Sequence, residues 1–210
     1  MRRKDWNDDA FTKRAQREGY LARSAYKLLE IDEKKRLLRP GASVLDLGCA
    51  PGAWLQVASR LVGPKGRVVG IDLQPVRARI AANVRTLVGD IDATAPETLL
   101  AELVALGAPE GHLFDCVLSD MAPSTGGGGG GSADHFRSVH LCERVLDLLP
   151  GLLRPGGNLA MKVFEGEAYP DLLARTAGCF EKARGFKPKA SRDASREMYI
   201  VAHAFRPPRG

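Results

Sequence analysis

The sequence predicts an α/β protein: a doubly wound, mostly parallel sheet of seven strands with helices on both faces. Three observations predict it. Short apolar runs alternate along the chain with helix-patterned stretches, which is the signature of βαβ units. Several runs, such as Val68-Val-Gly-Ile71 and Cys116-Val-Leu118, are apolar without alternation, as strands buried on both faces of a parallel sheet are. A glycine-bearing turn comes after the first of these runs, at the strand end where open α/β sheets bind their ligands.

Ser24 stands as the cap of a helix that carries Leu28, Leu29 and Asp32, runs to about Leu38 and is ended by Pro40-Gly41. The first strand, 43–47, leads into Gly48-Cys-Ala-Pro-Gly52 and then a helix over 53–61. Strands over 67–71, 84–88 and 114–119 come next, with a helix over 96–106 before the last of them. A helix over 136–153 leads to a strand over 158–164, and a final pair lies over 180–184 and 198–205. Six consecutive glycines, Gly126 to Gly131, predict a mobile loop inside the domain, because the sheet continues on both sides of it. There are no internal repeats.

The 210 residues suit one domain with a full core, and residues 1–39 read as a basic helical extension packed on it. No apolar run approaches the length that crosses a bilayer, and the charged start, Met1-Arg-Arg-Lys-Asp-Trp-Asn7, lacks the core of a signal peptide. The expectation is a cytoplasmic, monomeric protein that does not engage a membrane. Cys49, Cys116, Cys142 and Cys179 are widely spaced and form no C-x-x-C pair, so neither a disulfide frame nor a metal site is expected. Charge is distributed unevenly around a net +6. Residues 1–39 hold 12 Lys/Arg against 7 Asp/Glu, residues 182–210 hold 8 against 2, and the middle of the chain holds 11 against 16. If the fold brings the two basic ends together, they form one positive surface suited to phosphates; without such a partner they are a solvated set of cations.

The glycine turn reads G-x-x-x-G, not the G-x-G-x-x-G of dinucleotide binding, and no P-loop occurs. Polar residues then stand where strands end. Asp72 can accept both hydroxyls of a ribose or cap the next helix; Asp90 can accept from an adenine amino group or form a simple turn. Asp120, ahead of the glycine run, would stand at the sheet edge beside the turn, or serve as a turn former. Lys162 lies in the apolar strand Asn158-Leu-Ala-Met-Lys-Val-Phe164, where an unpaired ammonium is costly. It must meet a carboxylate or approach a solvent-filled cleft. Glu197 repeats the anomaly at the entry to the last strand, and Lys27 lies one turn into the first helix, where lysines are usually solvated.

Taken together, the segments 15–27 (Ala-Gln-Arg-Glu-Gly-Tyr-Leu-Ala-Arg-Ser-Ala-Tyr-Lys), 46–54 (Asp-Leu-Gly-Cys-Ala-Pro-Gly-Ala-Trp), 119–123 (Ser-Asp-Met-Ala-Pro), 161–167 (Met-Lys-Val-Phe-Glu-Gly-Glu) and 195–201 (Ser-Arg-Glu-Met-Tyr-Ile-Val) resemble, in order and nearly end to end, the FtsJ/RlmE family of 23S rRNA uridine 2′-O-ribose methyltransferases. The family's Pro-Gly-Gly-Trp reads Pro-Gly-Ala-Trp here, with Ala53 in place of a glycine.

The resemblance implies a Rossmann-like methyltransferase fold, S-adenosylmethionine as cofactor, and 23S rRNA on the large ribosomal subunit as substrate. It places Lys27, Asp120, Lys162 and Glu197 on the family's catalytic set, and Gly52, Trp54, Asp72, Asp90 and Asp120 on its cofactor-contacting positions. Lys162 is then either the base for the ribose 2′-hydroxyl or the cation that orients it and stabilises the developing alkoxide. Phosphate contacts fall to Arg2, Arg3, Lys4, Lys13, Arg14, Arg17 and Arg23 at one end and to Lys187, Lys189, Arg192 and Arg196 at the other. The competing readings are a tRNA anticodon-loop ribose methyltransferase, an RNA-binding ribosome-assembly factor, and a nicotinamide oxidoreductase disfavoured by the glycine spacing.

Overall fold

The computed structural model of the protein describes residues 3–123, 132–191 and 195–208, with the side chains of residues 3–9 and of Ser132 left out. The Gly126 to Gly131 run, Arg2 and Arg192 therefore lie outside the described residues, as do the side chains of Arg3 and Lys4.

Seven strands form one sheet: β1 (Ser43–Leu47), β2 (Arg67–Asp72), β3 (Val84–Val88), β4 (Phe114–Ser119), β5 (Leu153–Phe164), β6 (Phe180–Phe186) and β7 (Glu197–Phe205). Their spatial order is β3-β2-β1-β4-β5-β7-β6. Pairings from β3 through β5 are parallel, while β7 slots between β5 and β6 and runs antiparallel to both. Chain order reverses between β1 and β4, and that crevice is where such sheets bind ligands.

Six helices are described: α1 (Arg3–Arg17), α2 (Ala25–Lys35), α3 (Ala53–Val62), α4 (Pro96–Ala105), α5 (Ser132–Leu152) and α6 (Tyr169–Cys179). The sheet separates two cores. On one face Leu28 and Ile31 of α2, and Trp54, Leu55 and Val57 of α3, pack with Val44, Ala160 and Tyr199. On the other, Leu99 of α4, Val145 and Leu149 of α5 and Leu172 of α6 pack with Leu45, Val117, Met161 and Ile200. The strict alternation of strand side chains sorts each residue to its face. α1 joins through a smaller cluster of Ala15, Tyr26 and Ala190, with Phe11 and Tyr20 packed on it.

Some expected boundaries move, and one helix is unexpected. α2 stops at Lys35, because Arg36 turns into the left-handed region (φ 52) and donates its amide to Asp32 O. Ser24 precedes that helix without bonding it through its side chain. β5 starts at Leu153, five residues earlier than the apolar pattern indicates, because Leu153 pairs with Phe114 ahead of a register shift and the ladder resumes at Asn158 and Cys116, beyond Pro155-Gly-Gly157. α6 carries no strong apolar stripe and escapes the periodicity reading, although Pro170 in its first turn is a helix-start signal.

The basic ends do meet. The carboxylate of Glu30 in α2 accepts the backbone N–H groups of Lys189 and Ala190, and Lys27 pairs with Glu197 across a sequence separation of 170 residues.

Candidate active site

The parallel register aligns the ends of three strands: Leu47 lies beside Ile71 on one side and Ser119 on the other. The loops leaving these strands therefore converge on one edge of the sheet. After β1 the chain turns sharply, with the amides of Gly48 and Cys49 both donating to Ile71 O. Gly48 has φ +78, and a Cβ there would lie 2.6 Å from Met121 Cγ. Gly52 has φ +113 as the residue before α3, so Ala53 opens the helix with ordinary helical geometry. The methyl group in place of the family's second glycine thus needs no left-handed backbone.

Asp72 closes this turn. One of its carboxylate oxygens accepts the Ala50 amide at 2.9 Å and the other the Gln74 amide at 2.8 Å. Asp90 bonds the Asp92 amide in a turn of its own. Between the three strand ends lies a cavity of about 350 Å³ whose lining includes Gly48, Asp72, Gly89, Asp90, Asp120 and Met121. Gly52 and Trp54 are not among its lining residues. Trp54 is buried, donating its indole N–H to Ser24 O at 2.9 Å.

Behind the turn sits Asp46, wholly buried, with neither carboxyl oxygen hydrogen-bonded. Burial pushes its pKa well above the carboxylate range, and the negative charges of Asp120 and Asp72 push the same way. The cavity is thus rimmed by Asp72, Asp90 and Asp120, with a fourth carboxyl beneath them.

Asp120 also belongs to a second group. Lys162 Nζ donates to Asp120 Oδ1 at 3.0 Å and to the Asp120 carbonyl. In the antiparallel register Lys162 is paired with Tyr199 and Phe164 with Glu197, so the three polar side chains of β5 and β7 share one face. The Tyr199 hydroxyl donates to the same Asp120 oxygen at 2.7 Å, and its ring stacks on Trp54 with centroids 5.7 Å apart. Burial drives the Tyr199 pKa far up, and its acidic neighbour Asp120 adds to that, so it acts as a fixed donor. From α2, Lys27 Nζ reaches Glu197 Oε2 at 2.9 Å and lies 6.0 Å from the centre of the Tyr199 ring. Lys27 and Lys162 are both buried lysines, each paired with a carboxylate.

All four residues expected to do chemistry are therefore gathered, as two ion pairs flanking Tyr199. Three contributors escaped the sequence reading. Tyr199 looks like an ordinary strand aromatic; its two-residue spacing from Glu197, which puts both on one face, is the available signal. Asp46 is masked by the turn it precedes. His135 is invisible to spacing. It is buried, with Nδ1 2.6 Å from Phe164 O and Nε2 accepting the Ala168 amide, and it holds the chain just past Lys162.

The model of the family described as FtsJ-like methyltransferase matches residues 20–205. The ribosomal RNA large subunit methyltransferase E of Pseudomonas paraeruginosa is 43% identical over 203 residues, covering 97% of this chain and 94% of the relative. That of Stutzerimonas stutzeri is 42% identical, covering 95% and 92%. Among solved structures, a Plasmodium falciparum protein assigned as a ribosomal RNA methyltransferase superposes with TM-score 0.75 at 28% identity, over 90% of this chain and all of that one. Aeropyrum pernix fibrillarin, solved with natively bound S-adenosyl-L-methionine, superposes with TM-score 0.60 at 20% identity over 85% and 76%, and so shares the fold.

Proposed function

This chain belongs to the FtsJ-like methyltransferase family, and from that premise we infer that it methylates the 2′-hydroxyl of a uridine in 23S rRNA with S-adenosylmethionine as donor. The observation that carries the reading is the double role of Asp120. It lines the cavity at the strand ends and also grips Lys162, so a cofactor site and a catalytic cation meet at one residue.

The cavity suits this cofactor. It is of the volume class of small-molecule sites, a glycine turn lets the backbone close on it, and its carboxylates suit a ligand carrying sulfonium and ammonium charges. Gly48, Asp72, Gly89, Asp90 and Asp120 would hold it. When bound, S-adenosylmethionine supplies an electrophilic methyl group on sulfur.

The residues of the chain do the rest. Lys162 Nζ has three hydrogen-bond positions, and Asp120 occupies two of them. The third is left for a ribose 2′-hydroxyl, which it orients and whose developing negative charge it stabilises as the hydroxyl proton passes to solvent. Asp120 holds Lys162 in place, and Tyr199, braced by Trp54, holds Asp120. Lys27 and Glu197 form the neighbouring wall. Aligning hydroxyl and methyl is the main contribution asked of such a site, and positioning is worth up to about 7–11 kcal/mol in well-oriented cases.

The remaining features of the reading are a monomer acting in the cytoplasm on the assembled large subunit, with residues 1–39 as an extension of a single domain. No described helix is long and apolar enough to cross a membrane.

The test is transfer of radiolabelled methyl from S-adenosylmethionine to large subunits lacking the modification, free 23S rRNA and bulk tRNA. Wild type and Lys162→Ala are run side by side. Label is expected on the ribosomal substrates, falling at least about 100-fold in the variant. Cofactor binding, measured by calorimetry, should be retained. Label on tRNA alone would overturn the substrate, and near-normal turnover by Lys162→Ala would overturn the mechanism.

A further inference from the structure

The stripe of α2 that faces the sheet does not end at Lys27. Positions 27, 31, 34 and 35 fall on one side of the helix, so Lys27 begins a row that continues through buried Ile31 to Lys34 and Lys35. Along β7 the face that carries Glu197 and Tyr199 continues to Val201 and His203. On the edge strand β6, Lys182 is paired with His203 and Arg184 with Val201, so both basic side chains share that face. These three elements enclose a cleft of about 160 Å³ lined by Lys34, Lys35, Lys182, Arg184, Val201 and His203. Its lining holds five nitrogen bases, one valine and no carboxylate.

We propose that this cleft is a non-catalytic phosphate subsite, which holds a phosphodiester of the RNA strand at a distance from the ribose being methylated. The proposal rests on the assignment of ribose methylation to the site around Lys162 and Asp120, and extends that site along the same face of the sheet. From Lys27 to Lys35 is about 12 Å along a helix, and from Glu197 to His203 about 20 Å along a strand. The cleft therefore lies several phosphates away from the reacting hydroxyl.

Edge protection explains part of the charge, since lysines on an outer strand discourage pairing with other chains. It does not explain why α2 and β7 direct three further bases to the same spot. Nor are these cations spent on internal partners. Among the described residues Lys35, Lys182 and Arg184 meet no carboxylate, and Lys34 lies only within 3.9 Å of exposed Glu33. Lys35 instead stacks 5.1 Å over the Phe186 ring, which braces it against the sheet. The mutual repulsion registers on His203, whose pKa is lowered by burial first and then by the positive charges of Lys182 and Lys35. An anion in the cleft relieves that repulsion. A phosphodiester fits the purpose, because contacts of this kind position a strand without reading its bases.

The test compares wild type, Lys182→Gln/Arg184→Gln, Lys34→Gln/Lys35→Gln and a charge-matched control, Lys65→Glu, on large subunits lacking the modification. Lys65 precedes β2, at the opposite end of the sheet, and is exposed. Each cleft variant should raise KM for subunits about 10-fold with kcat at saturation little changed. Each should also flatten the log–log salt dependence of binding by up to about 1, for the one phosphate the cleft holds. Lys65→Glu should leave both readouts as in wild type. Unchanged KM in both cleft variants, or an equal loss with Lys65→Glu, would overturn the proposal.

A second readout does not depend on turnover, so it separates this proposal from the assignment of the reaction. The chain has four histidines, and the His203 ring can be titrated by NMR with a short RNA oligonucleotide or with inorganic phosphate. The expected result is a rise in the His203 pKa at far lower oligonucleotide than phosphate concentration. A response to phosphate alone, or to neither, would overturn an RNA subsite even if the wild type methylates its substrate.

Discussion

Asp46 is a carboxyl group in a place that offers it nothing to bond. Because burial raises its pKa in the folded state, folding retains a proton that the unfolded chain loses above about pH 4. Its contribution to stability is therefore fully present below the unfolded value and declines as pH rises, by up to about 1.4 kcal/mol per pH unit until the folded group also ionises. Asp46→Asn cannot ionise, so as pH rises above about 4 its melting temperature should gain on that of the wild type; parallel profiles would show that the acid is not held neutral. At this scale the sequence is a good guide to what has to be paired and a poor one to what does the pairing. Lys162 stands out because an ammonium in an apolar strand needs a partner. Tyr199 does not, since an aromatic residue in a strand satisfies every local rule, and only the fold reveals that its hydroxyl reaches Asp120. Asp72 and Asp90 are legible as strand-end acids, while their backbone bonds to Ala50, Gln74 and Asp92 depend on loop geometry.

The element that carries the cofactor cavity is the turn between β1 and α3. Its two glycines are used differently. Both have a left-handed backbone, but a Cβ on Gly52 would meet only the side-chain ends of Ile80, Leu21 and Val76, whereas one on Gly48 would press on Met121, its backbone included. Gly48→Ala should therefore lower stability by about 2–3 kcal/mol, through backbone strain and the Met121 overlap together. It should also weaken cofactor binding at least 10-fold, because Met121 lines the cavity. Calorimetry and thermal unfolding check the two effects separately, and a variant with wild-type affinity would remove the turn from the cofactor site. Elements with strong apolar signals, such as β1, β2, β4 and α3, are readable from the sequence almost to the residue. Those governed by polar or backbone features are not. α6 has only a narrow apolar stripe, α2 ends on a left-handed arginine, and β5 opens with a Leu153–Phe114 pair set off from the main ladder by a register shift.

Across the whole molecule, the site is assembled from both ends of the chain. Lys27 and Glu197 are half of the expected catalytic set, and their contact is also a tie between α2 and β7. Their side chains are 7% and 19% exposed, so the pair is shielded enough to matter. A double-mutant cycle of Lys27→Ala, Glu197→Ala and the combination should give a coupling energy of about 1–2 kcal/mol in unfolding. Each single variant should cost more than its share, by leaving the other charge half-buried. Additive losses would mean that the ends are held together by other contacts, such as the Glu30 carboxylate on the Lys189 and Ala190 amides. The charge pattern of the sequence points to this meeting of the ends without locating it, because charge counts carry no register.

The position of β7 has a consequence for how the protein comes into being. A ribosome releases a chain from its N-terminus, so β1 through β6 emerge before β7 does. Until then the margin of β5 away from β4 is unpaired and largely apolar, and β6 has no neighbour to join, since β7 is the strand that links them. The same late strand brings Tyr199 and Glu197. A nascent chain can thus fold its ligand-binding half early, yet it stays inert toward substrate until the last strand slides into the gap, and arrest of synthesis before residue 197 leaves a product exposed to aggregation.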